Sequence, residues 1–431
     1  MNIGLTRVGS LKSPSPRILR LVIMGFLLLT AAEFVSRGPA RYLQDPSEWN
    51  DFSQNYTASK LWLRGKSPAD PKHFIALWKE QTHVGLDVTD IRTHLAPPPG
   101  GLVVMAPVAA FPWKTAKILW LLVLLLSFAA TVWVFVGIST ESWRENVIFV
   151  AIYLAFAPFH TGIANGNTSI LVVGFCAVAI AAAIQKRDAT AGILFGLACS
   201  LKPQLGSFLV LYYLIQRRWR LFVVALGSTI ALNVIAVFYL FVRGTTWLQE
   251  YLSNARAFVT SNSIDSFASD NPARFTLLNL QVPFFSLTHH TDSANFWALV
   301  VSGVLVSAWT FLVLKSKERH EVVALGAIST IALLPVYHRF YDAAILVIPL
   351  CWCLVELTRS SELLALCGLL LLSPFFFPGA ALLGRLASHD RLPPSLTSSW
   401  TWESVVMPHE TWALLLLSVI LLYAVTATAR N

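Results

Sequence analysis

The chain has 431 residues, of which 55% are hydrophobic and 13% charged, and its mean hydropathy is +0.62. Soluble domains carry nearly twice that share of charge, so the composition excludes an ordinary soluble protein and indicates an integral membrane protein. The formal net charge is +9. Lys and Arg collect in the cytoplasmic loops of membrane proteins, so this excess predicts topology, and nucleic acid is not an expected partner.

Twelve apolar stretches have the composition of membrane helices, which need about 20 apolar residues to cross a bilayer. The sequence therefore predicts an all-α integral membrane protein: a polytopic bundle of about 12 transmembrane helices, in a single domain over residues 1–431. The stretches are residues 17–36, 114–138, 146–161, 168–185, 190–201, 204–216, 220–242, 294–314, 322–336, 341–357, 362–378 and 409–429.

The stretch from residue 190 to residue 216 allows two interpretations. Its two halves, each about 13 residues long, meet at Lys202-Pro203, and proline breaks the hydrogen-bond ladder of a helix. Basic residues flank both outer ends, at 186–187 and 217–220. A hairpin of short helices fits these like-sided charges better than a single broken span does.

Lys and Arg are concentrated in alternate predicted loops, and the positive-inside rule assigns these loops to the cytoplasm. We therefore expect a multi-pass protein of the plasma (inner) membrane with both termini cytoplasmic. The predicted cytoplasmic cations are Arg7, Lys12, Arg17, Arg20, Arg144, Lys186, Arg187, Arg217, Arg218, Arg220, Lys315, Lys317, Arg319 and Arg359.

The predicted outer face collects four segments, at residues 38–113, 160–167, 243–293 and 379–408. Within the first segment, residues 56–65 predict a helix that ends at a glycine and lies on the membrane surface. The apolar run 101–112 is too short to cross the membrane, so we expect a second interfacial or re-entrant element there.

Asp51 is the first candidate for chemistry, because it lies in the first outer segment between the aromatic residues Trp49 and Phe52. A carboxylate at this point has two possible roles. It can cap the helix that follows by accepting backbone N–H groups. It can also act as a general base if it is held near the proton that it removes. Asp45 and Glu48 compete for that second role.

Two other segments carry polar groups between apolar stretches. Lys202 lies between two apolar half-helices, where a charge is costly unless it is paired. It can hold the phosphate of a lipid, or its ammonium group can reach the membrane surface. The tight turn Asn165-Gly166-Asn167 has the residues that turn geometry favours, and the Asn165 and Asn167 amides can also bind sugar hydroxyls.

The polar cluster from His338 to Asp342 lies between two strongly apolar stretches, at a predicted outer membrane boundary. Arg339 and Asp342 can simply pair with each other. The functional interpretation is an anionic head-group site in which Arg339 clamps a phosphate and His338 donates to it.

Several familiar motifs are absent from the sequence. It contains no Walker loop, GxGxxG fingerprint, HExxH or GxSxG elbow, and no DxD pair in a predicted outer loop. Nucleotide hydrolysis, redox chemistry and zinc proteolysis therefore lack support. We expect no metal site and no cofactor.

Four segments, in this order, resemble glycosyltransferase family 87, a family of polytopic GT-C-type transferases. The resemblance covers about residues 45–350, and its most specific part is the run AGxxxG…LKPQ…RRWR. Two departures, Asn167 where relatives often have Gln and Ala69 where they often have Tyr, leave the sugar open. The segments are 51–68, 96–99 with 106–112, 165–167 with 191–196 and 201–204, and 334–335 with 338–342.

The resemblance implies a GT-C-type fold and a metal-independent transferase. Its donor would be a polyprenyl-phosphate sugar, commonly mannose, and its acceptor a lipid or glycan at the outer face of the membrane. Asp51 would deprotonate the acceptor hydroxyl, and the anomeric carbon would be inverted. Lys202, His338 and Arg339 are then the expected ligands of the donor phosphate. The expected sugar or acceptor contacts are Asn165, Asn167, Tyr341 and Asp342.

Two other functions are compatible with the pattern. A polytopic transporter or flippase would also combine many spans, a broken span and intramembrane charge, but it is disfavoured by the large asymmetric outer loops. A non-catalytic subunit of an envelope-glycan assembly would tolerate changes at Asp51 and Lys202 together. The sequence sets no oligomeric state.

Overall fold

A computed structural model describes residues 16–45, 50–82, 98–139, 142–260, 266–271, 273–315, 321–359 and 363–427. Some features of the sequence analysis lie outside these residues. They are Trp49 and Glu48 next to Asp51, the Ala96-Pro97 pair, and the predicted cytoplasmic cations Arg7, Lys12, Lys317 and Arg319.

Regular structure in the described part of the chain is helical, apart from one isolated antiparallel bridge between Leu277 and Arg339. Short 3₁₀ helices cover Arg274–Thr276, Phe340–Leu346 and Ser373–Phe376, and a π turn covers Trp402–Val406. The α-helices are α1 Pro16–Arg37, α2 Pro39–Gln44, α3 Asp51–Leu63, α4 Pro71–Gln81, α5 Pro99–Ala109, α6 Trp113–Ser139, α7 Trp143–Ala155, α8 Ala157–Ala164, α9 Ser169–Ile184, α10 Asp188–Leu201, α11 Pro203–Ile215, α12 Trp219–Val242, α13 Trp247–Thr260, α14 Gln281–Thr288, α15 Thr291–Lys315, α16 Glu321–Ala332, α17 Val347–Arg359, α18 Leu363–Leu372, α19 Gly379–Ser388, α20 Pro394–Thr397 and α21 His409–Ala427.

Six helices of the described residues are long and apolar enough to cross a membrane, and two bent pairs raise the number to at most eight. The prediction of a polytopic all-α protein is confirmed, whereas twelve spans are not. Several predicted spans form short helices instead. The longest of them, α9, has 16 residues and measures about 24 Å, which is less than the roughly 30 Å of a bilayer core.

Helices α10 and α11 form a hairpin that turns at Lys202. The Phe195 and Tyr213 ring centroids are 5.5 Å apart. In one straight helix, residues separated by 18 positions would lie about 27 Å apart along the axis. The hairpin interpretation is therefore confirmed. Both arms run between the basic turns at 185–187 and 216–218 and the end of the bundle that carries Lys202.

Helix α3 begins with a capping box formed by Asn50 and Ser53. The Ser53 N–H donates to Asn50 Oδ1 over 3.0 Å, and the Asn50 N–H donates to Ser53 Oγ over 3.1 Å. The interpretation of Asp51 as the N-cap is therefore wrong, because Asn50 occupies the N-cap position and its side chain accepts the Ser53 N–H. Asp51 is the first helical residue. The helix ends at Leu63, and Gly65 follows with a φ of +67°, so a glycine terminates the helix as the sequence predicted.

Helix α3 packs against its neighbours along much of its length, and its predicted position at the membrane surface stays a prediction. Phe52, Tyr56, Leu61 and Trp62 are all buried. Helix α4 covers one side of it, and the apolar run after residue 100 forms α5, which covers another. With 11 residues, α5 is too short to span a bilayer, as predicted.

Candidate active site

The predicted outer turn, Asn165–Asn167, lies directly against the first turn of α3. The Asn165 carbonyl accepts the Asp51 N–H over 3.0 Å, and the Gly166 carbonyl accepts the Trp120 indole N–H over 2.8 Å. Gly166 has a φ of +63°, and a Cβ added to it would lie 2.6 Å from the Phe52 Cβ. The turn therefore needs glycine both for its backbone conformation and for its close approach to α3.

The Asp51 carboxylate is held by side chains from two distant parts of the chain. The Asn167 Nδ2 donates to Asp51 Oδ2 over 2.6 Å, and the Tyr341 hydroxyl also hydrogen-bonds to this carboxylate. Burial raises the pKa of Asp51 above 3.8, while the Asn167 bond and the charges of Lys202 and Arg339 oppose that rise. The result is a carboxylate that is desolvated and fixed in orientation.

The other side of the Asn167 amide is also fixed. Its Oδ1 accepts the Ser169 N–H over 2.8 Å and lies 2.5 Å from the Ser169 hydroxyl. This leaves the amide nitrogen directed at Asp51. Ser169 also contacts the Asp342 carboxylate through its hydroxyl. A chain of hydrogen bonds therefore joins Asp51 to Asp342 through Asn167 and Ser169.

Asp342 is almost completely buried, and each of its oxygens has two partners. Lys202 Nζ donates to Oδ1 over 2.6 Å, in addition to the Ser169 contact. The Arg339 backbone N–H donates to Oδ2 over 3.0 Å, and His338 Nδ1 lies 3.4 Å from the same atom. With these partners, Asp342 orients its neighbours. A direct sugar contact by Asp342 stays a prediction.

Lys202 reaches the site because the α10–α11 hairpin turns at that residue. Its side chain is 14% exposed, its ammonium group pairs with Asp342, and it lies 5.1 Å from the Tyr341 ring centroid. The Asp342 pair resolves the cost of a charge between two apolar helices. The ammonium group is therefore paired inside the bundle. Its contact with a phosphate stays a prediction.

His338 and Arg339 lie beside Asp342 but differ in exposure. His338 is fully buried, and its Nε2 lies 3.2 Å from the Ala332 carbonyl oxygen. Arg339 is half-buried, and its Nε donates to the Tyr337 hydroxyl over 2.9 Å. The predicted pairing of Arg339 with Asp342 uses the backbone N–H of the arginine. The phosphate roles of both residues stay predictions.

The segment 243–293, which the sequence predicted to be outer, is attached to this cluster by backbone hydrogen bonds. The Leu278 N–H donates to the His338 carbonyl over 2.8 Å, and the Leu280 N–H donates to the Leu334 carbonyl over 2.9 Å. These bonds fix the strand-like backbone before and within the His338–Asp342 cluster. The predicted loop therefore includes a structural support of the site.

The structure brings together Asp51, Asn167, Lys202, Tyr341 and Asp342. The Asn165 side chain is directed elsewhere, since its Nδ2 donates to the Thr161 carbonyl over 2.8 Å. Its predicted sugar contact is not tested.

The sequence analysis missed Ser169, whose only local signal was a hydroxyl two residues after Asn167 at the start of an apolar helix. Among the described residues, no group of three or more His, Cys, Asp or Glu side chains is arranged to hold a metal ion.

Comparison with known proteins gives two findings. The model of glycosyltransferase family 87 matches residues 97–349, which include the outer turn, Lys202 and the His338–Asp342 cluster but not Asp51. Proteins described as alpha-(1->3)-arabinofuranosyltransferase from two Mycobacterium tuberculosis strains, CDC 1551 / Oshkosh and ATCC 25618 / H37Rv, are each 25% identical over 278 residues. Each match covers 56% of this chain and 59% of the relative. No solved structure matches the chain.

Proposed function

Since the chain belongs to glycosyltransferase family 87, we propose that it transfers a sugar from a polyprenyl-phosphate donor to a lipid or glycan acceptor. The reaction takes place at the outer face of the plasma membrane, with both termini in the cytoplasm. The distribution of Lys and Arg among the predicted loops supports this orientation. Asp51 is the general base.

The observation that carries this proposal is the environment of Asp51. A general base needs a fixed position and a pKa that leaves it able to accept a proton. The 2.6 Å bond from Asn167 fixes the carboxylate, and its burial raises its pKa. Asn50 caps the helix, so Asp51 has no capping role that would account for its position.

The chemistry that fits these residues is a single displacement. The acceptor hydroxyl gives its proton to Asp51 as its oxygen bonds to the anomeric carbon of the donor. The bond from that carbon to the phosphate oxygen breaks, and its electron pair leaves with the polyprenyl phosphate. Attack opposite the leaving group inverts the anomeric carbon.

Negative charge develops on the departing phosphate, so the site needs cations near it. The charges of Lys202 and Arg339 both lower the pKa of Asp51, which supports assigning them a position near the carboxylate that we propose as the base. Asp342 holds Lys202 by a 2.6 Å ion pair, so the ammonium group is oriented before the donor binds. We assign the donor phosphate to these two cations, with His338 supporting Asp342 from its buried side.

The transferred sugar has two candidates. The resemblance to family 87 implies mannose, and the 25% identical relatives are described as arabinofuranosyltransferases. Asn167 and Tyr341 lie beside Asp51, where they can contact sugar hydroxyls. Mannose remains our first candidate, and arabinofuranose is the second.

The test uses purified full-length protein reconstituted in sealed lipid vesicles with two radiolabelled donors, polyprenyl-phosphate mannose and polyprenyl-phosphate arabinofuranose. A membrane lipid extract supplies the acceptors. Transfer of label from one donor to a lipid or glycan product supports the proposal and identifies the sugar. If neither donor gives a product, while labelled donor crosses the bilayer in the presence of the protein, the transporter interpretation replaces it.

A further inference from the structure

A cavity of about 440 Å³ opens beside the later turns of α3, outside the Asp51 site. Three cations and one carboxylate line it, so the lining carries a net positive charge. Two aromatic side chains complete the wall. The lining residues that matter here are Tyr56, Lys60, Arg64, Glu80, Trp113 and Lys114.

The pairing of these charges leaves the excess on the lysines. Arg64 forms two hydrogen bonds with Glu80, of 3.0 and 3.1 Å, which neutralise that carboxylate. Lys60 Nζ donates to the backbone carbonyls of residues 110 and 111, over 3.1 and 3.2 Å. Burial and the Arg64 charge lower the pKa of Lys60, as expected where cations are crowded. Lys114 is exposed at the rim. The cavity is therefore suited to an anion.

The cavity lies at the level where a membrane-length helix begins. Trp113 is the first residue of α6, a candidate span of 27 residues. Tryptophan and lysine at the end of a span mark the head-group region of a bilayer. Phe111 lies two residues before that start and is 47% exposed. A lipid head group is the anion that this depth favours over a soluble one.

We propose that this cavity binds the phosphate of an anionic lipid head group and anchors the lipid acceptor of the transfer reaction. The second part of this inference rests on the proposed function. Lys60 and Asp51 lie on the same helix, nine residues apart, which is about 13.5 Å along its axis. The same spacing is two and a half turns, which puts the two side chains on opposite faces of α3, so an acceptor held by its phosphate at Lys60 and Lys114 reaches the base by passing around the first turns of this helix.

The first experiment measures lipid binding without catalysis. Full-length protein in detergent is titrated with short-chain phosphatidylglycerol and, separately, with short-chain phosphatidylcholine, and bound lipid is counted by native mass spectrometry. Lys114→Glu reverses a charge at the rim, and we expect it to weaken phosphatidylglycerol binding about tenfold, with no change for phosphatidylcholine. Lys114→Arg retains the charge and restores binding.

Lys72→Glu is the matched control, since Lys72 is exposed on α4 and does not line the cavity. An equal loss in this control, or no preference for phosphatidylglycerol in the wild type, would overturn the site. Glycerol phosphate is the soluble competitor. If it binds as tightly as the lipid, the ligand is a free phosphate and the lipid assignment is wrong.

The second experiment separates this site from the proposed reaction. Lys114→Glu should raise the KM for the lipid acceptor about tenfold and leave the KM for the donor unchanged. Asp51→Asn should bind phosphatidylglycerol as the wild type does. If lipid binding behaves as expected but no sugar is transferred, the cavity stands and the transferase proposal fails. If transfer proceeds and Lys114→Glu has no effect on it, the acceptor anchor is wrong.

Discussion

Asn167 and Asp51, which are 116 positions apart in the chain, are joined by a 2.6 Å hydrogen bond from the amide nitrogen to the carboxylate. The bond exists because the turn before α9 lies on the first turn of α3. The amide cannot rotate freely, since Ser169 occupies its oxygen. Asn167 therefore fixes the carboxylate that we assign as the base, and Ser169 fixes Asn167.

This hydrogen bond predicts that Asn167 is needed for a high kcat of the transfer reaction. Asn167→Ala removes the donor and frees the carboxylate, so we expect kcat to fall by about 10²-fold, as is typical when a reacting group is slightly misplaced. Asn55→Ala is the matched control, because the Asn55 Nδ2 donates over 2.7 Å to the Asp51 backbone carbonyl. Steady-state transfer kinetics distinguish the two. Equal losses would show that the carboxylate contact has no special role.

Tyr341 should contribute to the pH dependence of the reaction, together with Asn167, Lys202 and Arg339. Burial raises the pKa of Asp51, and the Tyr341 hydrogen bond opposes that rise by favouring the ionised form. Only the ionised carboxylate accepts a proton, so kcat/KM should fall as the pH decreases through this pKa. Tyr341→Phe removes the bond and should move the acid limb to higher pH. Tyr239→Phe is the control, since its hydroxyl contacts the Leu63 carbonyl. An unchanged acid limb in Tyr341→Phe would contradict the assignment.

The Lys202–Asp342 pair should behave as a buried ion pair. Asp342→Asn leaves the ammonium group uncompensated, and we expect a loss of about 3–5 kcal/mol in the free energy of unfolding. The double variant Lys202→Met with Asp342→Asn removes both charges and should recover much of that loss. Thermal unfolding in detergent measures both. If the losses of Asp342→Asn alone and Lys202→Met alone simply add in the double variant, the residues do not interact as described.

Gly166 should be intolerant of a side chain. Its positive φ costs about 1–2 kcal/mol for any L-residue, and an added Cβ would lie 2.6 and 2.8 Å from Phe52 and Tyr42 atoms. Gly166→Ala should therefore lower the unfolding temperature and displace the turn that holds Asn167. Gly227→Ala, in α12 with nothing within 4 Å of its Cβ, should be neutral or slightly stabilising. Similar effects of the two changes would contradict the packing described.

Local signals in the sequence predicted some of this structure well. The end of α3 at Gly65 and the break at Lys202-Pro203 are both determined by single residues with special backbone geometry. The hairpin followed from those residues together with the charge at its two ends. Features that depend on a few adjacent residues can be predicted from the sequence because no distant partner decides them.

The number of spans could not be predicted in the same way. Helices such as α9 and α16 are apolar because other helices bury them, and apolar composition alone cannot separate protein-buried helices from lipid-facing ones. The N-cap of α3 was likewise hard to predict from the sequence alone. Asn50 and Asp51 are both good capping residues, and the capping box with Ser53 decides between them.

The sequence predicted most residues of the site, but it did not predict the hydrogen bonds between them. Asp51, Lys202 and the 338–342 cluster were recognisable as polar groups among apolar residues. The contact of Asn167 with Asp51 depends on the packing of α3 against the turn, for which the sequence has no local signal. Ser169 was missed because one hydroxyl at the start of an apolar helix is common, and its importance comes from Asp342 on a distant segment.

The most direct test of the account is the transfer rate of Asp51→Asn. Burial raises the pKa of Asp51 in the folded state. Ionisation of Asp51 therefore lowers the stability of the fold as the pH rises past the pKa that this residue has in the unfolded chain. The neutral variant should therefore unfold at the same or a higher temperature at neutral pH. We predict that this folded variant transfers labelled sugar from the polyprenyl-phosphate donor about 10²–10⁴-fold more slowly than the wild type. A transfer rate equal to that of the wild type would contradict the assignment of Asp51 as the base.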